Sequence, residues 1–192
     1  MKSEKIYQII LMTFFGMFGS VLIGFIFFNT SIFILTRTNF QFLAAGFYGA
    51  LFFSLLEYKS VREQIFGMVI ILILNIILFT GKSFSLPFLI RDVLYLGSLF
   101  LSLKLYYQFI KRNPQLKYYL RCFALALFYG LINTVFISIV FIINAKAGFP
   151  SLDFIYARTR DGILIGFGIG LGIDFYLQNQ RQIFGLLKIN TA

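Results

Sequence analysis

The chain has 192 residues, of which 59% are hydrophobic, 20% aromatic and 12% charged, against about 45–50% apolar and about 25% charged in an average soluble domain. With a mean hydropathy of +0.87 and 27 Phe and 11 Tyr, it has too few polar side chains to cover a water-facing surface. That excludes a soluble globular domain and indicates an integral membrane protein. The formal charge is +10, with no His and one Cys, Cys122, which removes imidazole bases, His-ligated metals or haem, disulfides and thiolate clusters, so no metal or other cofactor is expected.

A helix crossing about 30 Å of hydrocarbon at 1.5 Å per residue needs about 20 mostly apolar residues. Six stretches predict an all-α, six-span helix bundle forming one integral membrane domain over 1–192, with spans near 6–28, 40–56, 65–80, 86–107, 119–143 and 155–177. The first is too long for a cleaved secretion signal and no small-x-small site closes it, so it is expected to remain. It carries a small-residue stripe of Gly16, Ser20 and Gly24, and the apolar Ser31 to Leu35 beyond it is read as an interfacial turn. The second has a shorter stripe, Gly46 and Ala50. The third is the shortest and most apolar, so flanking Val61 and Ser83–Phe84 are expected to complete its crossing. Asn75 in the third span and Asn133, next to Thr134, in the fifth lie mid-span, where an amide hydrogen-bonds across to another helix.

The fourth span is interrupted by Arg91 and Asp92 about five residues after it begins, where a charge costs roughly 2.5–3.5 kcal/mol on insertion scales. The sixth repeats the arrangement: RDVLYLG at 91–97 matches RDGILIG at 160–166. Both spans run the same way, so the two doublets are expected at similar depth on the outer side, with Arg91 pairing Asp161 and Arg160 pairing Asp92. Arg158 adds a positive charge that Asp153 offsets, unless Asp153 and Ser151 cap the sixth helix. At the inner end Lys104 and Asp174 form a second expected cross-pair, and Gly162, Gly166 and Gly170, with Gly168 and Gly172 on an adjacent stripe, give a packing face.

The connection KLYYQFIKRNPQLKYYLR joins the fourth and fifth spans, with a break at Pro114. Its basic and tyrosyl residues suit a headgroup anchor, the alternative being a dock for a cytoplasmic subunit. With six spans, eleven of the 17 basic residues fall on the side of the termini and six on the other, so both termini are expected in the cytoplasm of a multi-pass inner-membrane protein. The charge that would suggest nucleic acid in a soluble chain here meets anionic headgroups, and nucleic acid is not an expected partner.

These residues carry two functional readings. In the first, Arg91, Arg158 and Arg160 offer guanidinium forks to a small anionic solute, Asp92 and Asp161 orient them or bind a coupling cation, and Asn133 contributes an amide, as in a transporter. In the second, a non-catalytic structural or sensory subunit uses the same Arg-Asp pairs to latch helices and meets another membrane or cytoplasmic subunit. An enzyme is not expected, and an intramembrane enzyme stands as a distant third reading. The run Gly170–Leu171–Gly172–Ile173–Asp174 is similar to the Gly-x-Gly-Asp element of intramembrane aspartyl proteases, but an extra Ile precedes the Asp. The only other Asp on that helix at membrane depth, Asp161, is about 20 Å away by helical rise. In layout alone the chain resembles the membrane substrate-binding subunits of energy-coupling-factor vitamin transporters, a resemblance that assigns no residue a role.

Overall fold

The computed structural model describes residues 2–28, 37–58, 60–79, 86–145 and 150–186. Among them all regular structure is helical: α1 (Lys2–Phe28), α2 (Arg37–Tyr58), α3 (Val61–Phe79), α4 (Leu86–Arg112), α5 (Tyr118–Ala145) and α6 (Leu152–Leu186). Each helix covers one expected span, and most overrun it because the Lys, Arg, Gln and Glu flanking the apolar runs are themselves good helix formers. The longest overrun is in α6, which continues from Gln178 to Leu186. Among the described residues, three helices contain a stretch long and apolar enough to cross a membrane: Lys5–Phe28, Val93–Arg112 and Tyr118–Ile143. A shorter apolar run, Gln41–Glu57, lies in α2. The turn expected at 31–35, Ser83–Phe84 and the side chain of Asn75 lie outside the described residues.

Local chemistry sets the helix ends. At the start of α3, Ser60 N–H and Oγ–H each donate to Glu63 Oε2 at 2.9 Å, while the Glu63 N–H donates to Ser60 Oγ at 3.5 Å, a reciprocal capping box. At the start of α6, Ser151 Oγ accepts the Phe154 N–H at 3.3 Å, so Ser151 supplies the cap. Between α4 and α5, Pro114 ends the helix and Arg121 ties the turn, donating from Nε to the Leu116 carbonyl at 2.9 Å and from Nη2 to that of Pro114 at 2.7 Å. Lys111 over the Tyr107 ring, 4.4 Å from its centroid, and Lys117 near Tyr119, at 6.0 Å, place cations on aromatic faces at the same end.

Glycine decides how the helices meet. α6 is central, packing on α5, α1 and α2. α4 lies against α5 and α2, and α3 flanks α2 and α4. The stripe Gly162, Gly166 and Gly170 faces α5: a Cβ at Gly166 would stand 2.9 Å from the Leu125 carbonyl oxygen and 3.0 Å from Ala126 Cα, and one at Gly170 3.0 Å from Cys122 Cα. The neighbouring stripe faces α1, where a Cβ at Gly168 would be 2.6 Å from Ser20 Cα and one at Gly172 would be 2.7 Å from Gly16 Cα. The first- and second-span stripes meet each other, with Gly16 against Ala50 and Gly46 against Ser20. Ser20 Oγ donates to the Phe42 carbonyl at 2.8 Å in the same seam. Backbone approach of this kind is what helix association in lipid relies on. Through all these glycines α6 stays a continuous helix.

Large side chains fill the spaces between the seams: Phe42, Phe52, Phe53, Tyr106, Tyr129 and Tyr176 are fully buried. The periphery is also apolar, with Phe14, Phe18, Phe66, Phe123, Leu131 and Val135 all exposed.

Candidate functional site

The sequence places two arginines and one aspartate within four residues of α6, and the helix turns them into a single cluster. Asp161 Oδ1 accepts from Arg160 Nη2 at 3.0 Å and Nε at 3.2 Å, and Asp161 Oδ2 lies 3.9 Å from Arg158 Nη1. The side chains are 40%, 49% and 27% exposed for Arg158, Arg160 and Asp161, so the cluster is reachable from outside the bundle. One carboxylate between two guanidinium groups leaves an excess positive charge. Asp161 precedes Gly168 and Gly172 by seven and eleven residues, the spacing of one helix face, so it shares their α1-facing side. The Arg160 guanidinium stacks over Phe28, at the end of α1, at 5.2 Å, and Arg158 stacks over Phe154 at 5.3 Å. These rings orient both cations. Asp153 is exposed at the start of α6, and the carboxylate beside Arg158 is that of Asp161.

Among the described residues the expected pairing of Asp161 with Arg91 is replaced by its pairing with Arg158 and Arg160. α4 and α6 make no close backbone approach among the described residues, each packing instead on α5 and α2, and they meet through the side chains of Tyr106 and Asp174. Ser98 Oγ of α4 donates to Asn133 Oδ1 of α5 at 3.5 Å, and a Cβ on Gly162, next to Asp161, would lie 3.3 Å from Asn133 Nδ2. Asn133 therefore touches both α4, at Ser98, and α6, at Gly162. Both charges of Asp161's pairing come from its own helix, and the side chain of Asp92 lies outside the described residues. Arg91 itself is exposed.

Asn133 is buried, as its mid-span position implied, but it occupies the α5 side of α6, behind Gly162. Between the arginines in sequence, Thr159 joins α6 to α5 through a hydroxyl 2.9 Å from that of Thr134: one hydroxyl donates to the other, and the accepting one donates to the carbonyl of its own helix, Gly130 for Thr134 or Ile155 for Thr159.

The inner cross-pair is replaced by a different junction. Lys104 is exposed, and Asp174, 2% exposed, accepts from the Tyr106 hydroxyl at 3.3 Å and the Cys122 thiol at 3.6 Å. Two residues separate Lys104 from Tyr106, which on a helix points them to nearly opposite sides. Inspection of charges alone overlooks this junction. The spacing carries a signal nonetheless: Tyr95, Ser98, Ser102 and Tyr106 recur at three- and four-residue intervals on α4, and Cys122, Tyr129 and Asn133 share a face of α5, giving each apolar helix one polar stripe.

Comparison of the chain with protein-family models, with curated proteins and with solved structures finds no match.

Proposed function

We propose that the protein is a six-span, multi-pass protein of the cell (inner) membrane, with both termini cytoplasmic, that binds a small anionic solute at the Arg158–Asp161–Arg160 cluster and carries it across. The reading is non-enzymatic. The observation that carries it is the two-to-one ratio of guanidinium to carboxylate in a half-exposed cluster whose arginines are held on Phe28 and Phe154. In a low-dielectric layer such an excess is costly unless an anion completes it, and a carboxylate or phosphate matches the planar fork of each arginine. Arg91, exposed on α4, adds to the positive field that draws anions to the protein. Asp161 orients the arginines, and Asn133 supports the helix behind them.

The latch alternative has less support. Asp161 pairs within its own helix, and α6 is joined to its neighbours by glycine contacts that need no ion pair. The test is titration of the full chain in nanodiscs with inorganic phosphate and with a short dicarboxylate. Replacing both Arg158 and Arg160 by Gln removes charge-assisted bonds of ~1.5–3 kcal/mol each and is expected to weaken binding by at least about tenfold at normal protein abundance. Unchanged affinity in a correctly folded double variant, or no binding of either anion to the wild type, refutes the proposal. Loss of the protein itself on replacing Arg160 alone with Gln supports the latch.

A further inference from the structure

The Asp174 junction lies apart from the arginine cluster. Asp161 and Asp174 are 13 residues apart on one helix, about 20 Å, so both fit within a layer about 30 Å thick. An acidic side chain inside such a layer is expensive and signals function. Here it sits where three helices converge: α6 supplies the carboxyl, and α4 and α5 supply Tyr106 and Cys122, which the turn at 113–117 brings to the same height.

The donor set restricts what the carboxyl can bind. A hard metal cation takes six or more oxygen ligands, whereas a thiol is a soft ligand unsuited to it. Among the described residues no group of three or more acidic, Cys or His side chains exists to hold a metal ion. A proton needs one oxygen. Both donors, at 3.3 and 3.6 Å, converge on Oδ2, and among the described residues Oδ1 receives none. The contacts are long and one comes from a weak thiol donor, so they leave a carboxylate poorly compensated.

The other titratable and charged groups around it are few. α5 adds Arg121, which acts on the carboxyl at longer range while its guanidinium is bonded to the Leu116 and Pro114 carbonyls. α6 itself adds the buried Tyr176. α1 presents Phe15, whose ring is 5.4 Å from Phe175 and 6.0 Å from Tyr176, and α2 presents Phe53, 5.8 Å from Tyr106. Neither ring titrates.

We propose that Asp174, held between Tyr106 and Cys122, is a membrane-buried proton-binding site. In the step itself a hydronium ion's O–H bond breaks as one forms to a carboxyl oxygen, which discharges the group and leaves a water molecule. On release the carboxylate again accepts from the Tyr106 hydroxyl and the Cys122 thiol. The site stands whether or not the arginine cluster binds an anion.

The test is pH-difference infrared spectroscopy of the full chain in nanodiscs. The chain has only seven Asp and Glu residues, so the carbonyl stretch of a single protonated carboxyl can be assigned by substitution. The expected result is a pH-dependent carboxyl band, slow to exchange with deuterated water, that is lost in Asp174→Asn, retained in Asp161→Asn and displaced in Tyr106→Phe and Cys122→Ala. Superimposable difference spectra for the wild type and Asp174→Asn overturn the proposal. Should Asp174→Asn fail to fold, Tyr106→Phe and Cys122→Ala decide: a displaced band supports the site, and an unmoved spectrum in both overturns it.

Discussion

Replacing Gly172 with Ala tests the α1–α6 seam at its tightest point. A Cβ there would press on the Phe15 carbonyl and stand 2.6 Å from its carbon and 2.7 Å from Gly16 Cα. Ordinary contact begins near 3.5 Å, and every obstructing atom is backbone, so no side-chain rotation makes room. Relief requires moving α1 from α6 by roughly 1 Å, a gap that forfeits a quarter to a half of the dispersion energy of each contact it opens. Overpacking ordinarily costs about 1–3 kcal/mol, and an all-backbone clash belongs at the upper end, while exchange of Gly for Ala in a helix returns up to about 1 kcal/mol. The net expectation is destabilisation of about 2 kcal/mol, close to a thirtyfold change in the unfolding equilibrium. Reversible unfolding in mixed detergent–SDS micelles, followed by circular dichroism, measures it. The control is Gly185→Ala, where a Cβ meets nothing within 4 Å, and stability is expected to hold or rise by up to about 1 kcal/mol. If Gly172→Ala is as stable as the wild type, or Gly185→Ala is equally damaged, close glycine packing is not what joins these helices.

Two further substitutions address the rest of the frame. Ser20→Ala removes the buried 2.8 Å bond to the Phe42 carbonyl and is expected to cost about 0.6–2 kcal/mol in the same unfolding assay, the range for hydrogen bonds between membrane helices; an unchanged midpoint counts against a role for this bond. Arg121→Ala releases the Leu116 and Pro114 carbonyls and is expected to speed amide hydrogen exchange across 113–121 while the glycine seams stay protected. Arg121→Lys, lacking the fork that reaches both carbonyls, restores little of that protection, and equal exchange in all three proteins would show that the turn does not depend on the guanidinium.

Much of this architecture was legible in the residues. The six apolar runs fall on six helices, three of which are, among the described residues, long and apolar enough to cross a membrane, where hydrogen-bonding every backbone group internally leaves little alternative to a helix. The glycine and serine stripes at four-residue spacing were visible for the same local reason: helical periodicity alone puts Gly162, Gly166 and Gly170 on one side. Ser151 as a cap and Pro114 as a break follow from backbone chemistry that depends on no partner.

What sequence could not supply is which stripes touch. The repeated Arg-Asp doublets suggested that the fourth and sixth spans pair through them, yet Asp161 takes both its arginines from its own helix, and α4 reaches α6 instead through Tyr106 and Asp174. Likewise Asp174 meets Tyr106 and Cys122 across 68 and 52 positions and leaves Lys104 outside. A helix fixes the angle and height of each side chain relative to its own axis. Only the packing of axis against axis, here governed by how closely glycine lets two backbones approach, fixes which charges and hydroxyls become neighbours.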